Sequence, residues 1–330
     1  MQPAQLLAAL AAGEPLSGAS LARQAGVTRA AIWKQVESLR ARGVPIAARG
    51  ASGYRLPWPL QMLDVAQIRA ALPRSMAHSL GALEVHWEID STSSELQRRG
   101  ARAADLSVLL AETQTAGRGR RGRSWLSPPG LNLYLSCLKR FDSGVAATAG
   151  LSLAIGVIVL RALQQLGLAG AGLKWPNDVL AITGGPSGGK LAGILVELSG
   201  EYQGPCAAVI GIGLNLRLTP ALREQAGQPA CDLATLSGDG VPPDRNRVAA
   251  ALIAGLVDGL RQFERDGFAG FSADYARHDL LHGQPLRLSG ALGSFDAVGA
   301  GVDGRGALQV RLADGSVRRV DSADVTVRRA

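Results

Sequence analysis

Apolar residues recur at helical spacing in short stretches at the start of the chain. Leu6, Leu7 and Leu10 share one face of Gln2 to Ala12, and Ile32, Val36 and Leu39 share one face of Arg29 to Arg42. Between them, Gly18 to Gln24 reads as a second helix. Ser17 and Thr28 stand where a hydroxyl can take an orphan amide at a helix start, and "AGV" fits a tight turn before the third helix. The segment "VPIAARGASGYRLP" then predicts a strand, a turn rich in Gly and Ser, and a returning strand. Together these elements predict a winged helix-turn-helix over residues 1–60. The outer face of its third helix carries Arg29, Trp33, Lys34, Arg40 and Arg42, with Arg49 at the tip of the wing. Arg29, Trp33, Lys34 and Arg49 are the candidate DNA contacts. The competing reading is a helical interaction module with a solvated basic face.

Pro57 and Pro59 bracket Trp58 and form a short, stiff linker, and residues 61–82 lead into the next domain. From Leu83 the texture changes to alternating strands and helices. "LEVHWEID", "LSVLLAETQ", "LNLYLSCLK", "KLAGILVEL" and "AAVIGIGLNL" read as strands, and "LKWPNDVLAI" as a strand entering a turn. Ser93 to Arg102, Val145 to Leu166 and residues 246–265 read as helices, so residues 83–280 predict a mixed α/β domain on one sizeable sheet. Residues 281–330 alternate apolar and polar positions between Gly-rich turns, as a small all-β module does.

Composition narrows the class. At 47% hydrophobic and 19% charged, the 330-residue chain reads as globular and soluble. Nothing at the N-terminus resembles a secretion signal. The uncharged run from Ser143 to Leu160 is interrupted by Gly and Thr, which suits a buried core helix better than a membrane span. Cys137, Cys206 and Cys231 are widely spaced and outside any CxxC, which fits a reducing cytoplasm. His78, His86, His278 and His282 show no metal-ligand spacing. The net charge of +8 is uneven: residues 1–60 hold 7 basic and 2 acidic groups, and residues 61–282 hold 21 and 20. A nucleic-acid partner is therefore expected at the N-terminal module.

Two stretches carry candidate chemistry. "GGPSGGKL", Gly184 to Leu191, nearly matches a phosphate-binding P-loop, but Leu191 offers no hydroxyl for magnesium and the residues that follow are strand-like. It reads instead as a hairpin turn presenting Lys190, one of only four lysines among 31 arginines. "GRGRRGRSW", Gly117 to Trp125, packs four arginines and three glycines into nine residues. It could contact nucleic acid, lie solvated, or clamp an anionic small molecule. Glycines that reach φ > 0 and arginines that fork onto phosphate oxygens favour the clamp, with a loop expected to be mobile until an anion arrives.

"AETQTAGRGRRGRSWLSPPGLNLYLS", "KWPNDVL", "KLAGILVEL" and "GIGLNL" resemble the biotin–protein ligase family, in that family's order. With the N-terminal winged helix, the chain resembles the bifunctional form that is also a biotin operon repressor. The resemblance covers essentially the whole chain. It implies a class II synthetase-like central sheet and an SH3-like β-barrel over residues 281–330. It further implies activation of biotin by ATP, with magnesium, to biotinyl-5′-AMP. Transfer to a lysine of the biotin carboxyl carrier protein would follow. Operator DNA and a homodimer of the adenylate-bound form are the other implied partners.

By the same resemblance, Arg118, Arg120 and Lys190 neutralise the carboxylate and α-phosphate, while the Gly117–Gly122 backbone, Gly119 included, folds over the biotin. Ser91, Thr92, Ser93 and Gln114 would serve the ureido head, and Trp125 would form an apolar wall. Arg121, Arg123, Lys174, Asn177 and Asn215 would face ATP with Arg120 and Trp125. Asp178 would either orient the incoming lysine amine or anchor its turn. No carboxylate stands out as a metal ligand. Ser93 replaces the Asn frequent in the family, and Trp33 is bulky for a base-reading position, where packing on the wing or the central domain is the alternative. A non-catalytic ligand-sensing transcription factor and a lipoate-type acyl-protein ligase are the rival functions.

Overall fold

The computed structural model describes residues 1–48, 53–76, 79–182, 188–290, 293–321 and 325–329. Three helices form first: α1 (Pro3–Leu10), α2 (Gly18–Ala25) and α3 (Arg29–Ala41). Ser17 Oγ accepts from Ser20 N at 3.0 Å and Thr28 Oγ1 from Ala31 N at 3.2 Å, so both expected caps are made. Gly26, at φ +63°, ends α2 in the left-handed conformation that frees it to turn. The wing is an antiparallel pair, β1 (Ala47–Ala48) and β2 (Tyr54–Arg55); Arg49 lies outside the described residues.

The apolar stripes of the three helices bury Leu6, Leu7, Leu10, Ile32, Val36 and Leu39. Leu131 and Leu222, from distant parts of the chain, complete this core. Two arginines depart from the expected outward face. Arg40 Nε donates to Ile46 O at 2.8 Å and its Nη1 pairs with Glu37, while Arg42 reaches Glu88 Oε2 at 2.6 Å. The reason is position: Arg40 sits in the last turn of α3 and Arg42 at its C-cap, where neighbouring carbonyls and carboxylates are in reach.

Next come α4 (Val65–Ala71), β3 (Ala82–Ile89), α5 (Thr92–Arg99), β4 (Ser107–Gln114), β5 (Leu133–Phe141) and α6 (Leu151–Gln165). Leu63, Ile68, Leu72 and Met76 are buried in the central core, so the segment around α4 is packed structure. The sheet continues with β6 (Ala171–Lys174), β7 (Asp178–Ala181), β8 (Lys190–Gly200) and β9 (Cys206–Leu214). The "LKWPNDVLAI" stretch is therefore a hairpin of two strands. After β9 come α7 (Pro220–Gln225), α8 (Leu233–Leu236), α9 (Arg245–Asp266) and α10 (Ala269–His278).

The seven strands run in the order β3-β4-β5-β9-β8-β7-β6, with β3 and β4 parallel and the other neighbours antiparallel. Helices α6 and α9 cover one face, where Val108, Leu110, Cys137 and Ile210 point; α5 covers part of the other, over Leu109, Leu138 and Val209. The uncharged run from Ser143 is not one helix: a 3-10 turn, Val145–Thr148, precedes α6, and Gly150 at φ +79° separates them. Among the described residues no helix is long and apolar enough to cross a membrane.

The C-terminal strands are β10 (Pro285–Gly290), β11 (Gly293–Val302), β12 (Leu308–Arg311), β13 (Val317–Val320) and β14 (Val325–Arg329). They pair antiparallel in the order β13-β12-β11-β10-β14. The end strands β13 and β14 do not pair with each other, so among the described residues this is an antiparallel sheet without closure.

Candidate functional site

The α5 face of the sheet is where side chains run out. Gly193 of β8 pairs with Gly213 of β9, and Gly213 with Tyr134 of β5; Leu195 pairs with Gly211, and Gly211 with Ser136. Glycine at three of these positions leaves bare backbone in mid-sheet. Two kinds of side chain lie on it. A Cβ at Gly213 would stand 2.3 Å from Trp125 Cε2 and one at Gly193 2.8 Å from Trp125 Cζ3, so the indole rests on the glycine pair. A Cβ at Gly211 would stand 2.6 Å from Ser93 Oγ. Above this floor is a cavity of about 790 Å³.

One end of the cavity is hydroxyl-rich. Ser91 caps α5, its Oγ accepting from Ser94 N at 3.4 Å, which brings Thr92 and Ser93 to the helix N-terminus. Ser136 Oγ lies 2.7 Å from Thr92 Oγ1 and 2.9 Å from Ser93 Oγ. Gln114 Oε1 accepts from Thr92 N at 2.9 Å, and Gln114 Nε2 donates to Ser127 Oγ at 3.1 Å. These donors and acceptors are held by one another before any ligand needs them, which is the arrangement that recognises a small polar head.

The other end is cationic. Arg118, Arg120, Arg121, Arg123, Lys174 and Lys190 line the cavity, against a single carboxylate among the described residues, Asp178. Lys190 opens β8 with its backbone pinned: its amide donates to Pro229 O at 2.9 Å, and its carbonyl accepts from Cys231 N at 3.0 Å and Asn215 Nδ2 at 3.1 Å. Its Nζ lies 2.7 Å from Asp178 Oδ1 and 5.4 Å from the Trp125 ring centre. Burial, then the like charges of Arg121 and Arg123, lowers the pKa of Arg120, while Asp178 opposes the shift. Crowded cations around one carboxylate favour a ligand that brings negative charge.

The loop glycines differ in part from the φ > 0 that the sequence suggests. The loop is closed by hydrogen bonds from Gly119 N to Arg123 O at 2.7 Å and from Trp125 N to Gly117 O at 2.8 Å. Of its three glycines only Gly122 has positive φ, at +70°, and Arg121 joins it at +56°. Gly117 is needed for closeness: a Cβ there would lie 2.5 Å from Trp125 O. Arg118 lines the cavity, yet its Nη2 is held by Glu197 Oε2 at 2.6 Å and Gln97 Oε1 at 3.0 Å.

Most sequence-selected residues therefore converge. Ser91, Thr92, Ser93, Gln114, Gly119, Trp125, Lys174, Asn177, Asp178 and Lys190 all line the cavity with the loop arginines. Asn177 also ties strands together, its Nδ2 donating to Ile194 O at 2.8 Å. Asn215 lies behind the lining, its amide spent on the carbonyls of Lys190 and Cys231. Reading the sequence missed Ser136 and the floor glycines Gly193, Gly211 and Gly213. The signals were a serine within the apolar strand "LYLSCLK", the alternating glycines of "GIGLNL" and the glycine inside "KLAGILVEL". Outside the cavity lining, Arg29 and Lys34 are exposed on α3, and Trp33 is 54% exposed. Among the described residues no cluster of three or more His, Cys, Asp or Glu could hold a metal ion.

Residues 88–215 match the biotin/lipoate A/B protein ligase family, and residues 4–55 match a helix-turn-helix domain. The chain is 37% identical to the bifunctional ligase/repressor BirA of Escherichia coli over 99% of this chain and 98% of that one. It is also 37% identical to the biotin–[acetyl-CoA-carboxylase] ligase of Mycobacterium tuberculosis, over 67% of this chain and 79% of that one. Among solved structures, the Aquifex aeolicus biotin protein ligase in complex with biotin and ATP superposes with a TM-score of 0.62 at 28% identity, covering 76% of this chain and 99% of that one. A ligase-type cavity, a helix-turn-helix module and near full-length similarity agree: the chain belongs to the biotin–protein ligase family, in its bifunctional ligase/repressor form.

Proposed function

We propose that this chain activates biotin with ATP, transfers it to a carrier protein, and represses transcription through its N-terminal module. The observation that carries the ligase reading is the cavity: hydroxyls and an amide at one end for a ureido head, six cations at the other for a carboxylate and phosphates. In the first half-reaction a biotin carboxylate oxygen bonds to the α-phosphorus of ATP, and pyrophosphate leaves with the bond it breaks. In the second, a lysine amine of the biotin carboxyl carrier protein bonds to the biotinyl carbonyl, AMP leaves, and the amine gives up a proton. Both steps concentrate negative charge near the α-phosphorus.

Lys190 and Arg120 are the groups we assign to that charge, with Arg118 joining when its carboxylate partner is exchanged for the ligand. Asp178 holds Lys190 in place, a role its 2.7 Å contact supports. Ser91, Thr92, Ser93, Ser136 and Gln114 serve the ureido head, Gly117 and Gly119 give the backbone that covers it, and Trp125 is the apolar wall. Arg121, Arg123, Lys174 and Asn177 face the nucleotide. Magnesium would arrive with the phosphate oxygens of the nucleotide, and Asp178 is the carboxylate that the described lining offers it.

For the repressor half, Arg29, Trp33, Lys34 and Arg49 are the proposed operator contacts. A homodimer would present two such modules to a two-fold site. We place its contact on β8 beyond Gly193, where β7 no longer pairs and β9 is the remaining neighbour. We divide the chain into a DNA-binding module (1–60), a linker and start of the catalytic domain (61–82), the catalytic domain proper (83–280) and an SH3-like C-terminal domain (281–330). A cytoplasmic setting suits three free, buried cysteines.

Pyrophosphate release from ATP tests the ligase reading against its rivals. Biotin should elicit about one equivalent, with turnover only when a carrier fragment is added, and Lys190→Ala should abolish release. Release with lipoate instead would move the chain to the lipoate type. Release with neither acid would leave a sensor without catalysis.

A further inference from the structure

We infer that Arg42, in the N-terminal module, is a positioning residue for the ligand cavity, acting through Thr113 and Ser127. The inference rests on the biotin-ligase reading. Arg42 caps the C-terminus of α3, and no described residue of the first 60 lines the cavity. Its guanidinium crosses to the central domain, where Nη2 lies 2.6 Å from Glu88 Oε2 and donates to Thr113 Oγ1 at 2.9 Å. Thr113 is fully enclosed, and the same hydroxyl donates to Ser127 O at 2.7 Å. A charged donor on a hydroxyl polarises it and strengthens the bond that the hydroxyl gives away. Arg42 thus fixes the backbone at Ser127.

From Ser127 the connections reach the ligand floor. Ser127 Oγ donates to Trp125 O at 3.1 Å and accepts from Gln114 Nε2 at 3.1 Å. Gln114 in turn orders the start of α5 through Thr92 N at 2.9 Å. The packing supports the same direction of influence. Leu131 and Leu222, which flank the two cavity-lining segments around Trp125 and Pro229, are seated in the core of the N-terminal module. The wall that covers biotin is therefore held from outside the catalytic domain, with Arg42 as its polar contact.

Equilibrium biotin binding and steady-state kinetics on the full-length chain test this. Arg42→Met should weaken biotin binding and raise the biotin KM by about tenfold, the scale of one charge-assisted hydrogen bond. The ATP KM and the thermal midpoint should stay near wild type. Arg42→Lys, which keeps a cation in reach of Glu88 and Thr113, should recover most of the loss. Arg40→Met, which removes a neighbouring arginine whose described bonds lie within its own module, should change neither biotin binding nor the biotin KM. Arg42→Met combined with Thr113→Val should be no worse than Thr113→Val alone. Unchanged biotin binding in Arg42→Met, losses that follow the thermal midpoint instead of biotin, or additive losses in the double variant would each overturn the inference. A wild-type chain that binds no biotin would overturn the ligase reading, and this inference with it.

Discussion

Gly213 shows how one absent methyl group sets a site. The indole of Trp125 can lie on β8 and β9 because neither Gly193 nor Gly213 carries a Cβ, and a Cβ at Gly213 would come within 2.3 Å of the ring. Overpacking of this kind costs about 1–3 kcal/mol. The Gly213 backbone is ordinary strand, so Gly213→Ala should fold, displace the indole, and raise the biotin KM by roughly tenfold. Wild-type kinetics in that variant would show that the indole does not need its present seat. The residue types at the site were legible because their chemistry is unusual: a run of arginines, a rare lysine, hydroxyls before a helix. The glycine floor was not, because its purpose is the space left for a residue some 70 to 90 positions away in the chain.

At the scale of elements, α5 is held to its surroundings by a chain of surface charges. Arg98 makes two bonds to Asp90, at 2.7 and 2.8 Å, and Arg99 pairs with Glu84 and Glu95. The hydrogen bonds from Arg98 hold the Asp90 carboxyl down at about 2, and Arg99 lowers Glu84 and, with Arg98, Glu95. A carboxylate with a depressed folded pKa stabilises fully above its unfolded value, and that stabilisation is lost as pH falls toward the folded value. The stability gap between wild type and Arg98→Met should therefore be steady above about pH 5 and close between about pH 4 and about pH 2. Denaturation midpoints against pH measure it; a gap indifferent to pH would show that Arg98 acts by packing. Because the pairs are exposed, the gap will be small. The element itself was legible from its pattern, but the loop after β4 was not, since hydrogen bonds between Gly117 and Trp125 and between Gly119 and Arg123 close it.

Across the whole molecule, one buried ion pair joins parts that are far apart in sequence. Arg245, at the start of α9, meets Glu112 of β4 at 2.8 Å, with side chains 5% and 3% exposed. Arg245 also donates to Gln61 O at 2.6 Å and Asn132 O at 2.7 Å, and Glu112 Oε1 accepts from Leu63 N. The connecting segment, the central sheet and the last long helix thus meet at one point. Glu112→Gln keeps the shape and removes the charge, leaving a buried cation uncompensated at a cost of about 3–5 kcal/mol. The exposed pair Arg287–Asp296 gives the contrast: Asp296→Asn should change stability by less than about 1 kcal/mol. Denaturant unfolding of both variants checks the difference, and equal effects would refute the assignment.

The sequence by itself determined the three N-terminal helices, most strands of the central sheet, the long helix α9, the near-neutral charge of the central domain and the chemistry of the arginine loop. Each of these depends on periodicity, caps or residue type, which are properties of neighbours along the chain. Only the tertiary structure decided that Arg40 and Arg42 turn inward, that Asn215 stands behind the cavity, and that Arg118 rests on Glu197. It also decided that Ser136, Gly211 and Gly213 form the floor. The physical reason is common to all of them. A charge, an amide or a missing side chain acquires its role from whatever lies across the sheet or the domain boundary, and no spacing along the chain encodes that partner.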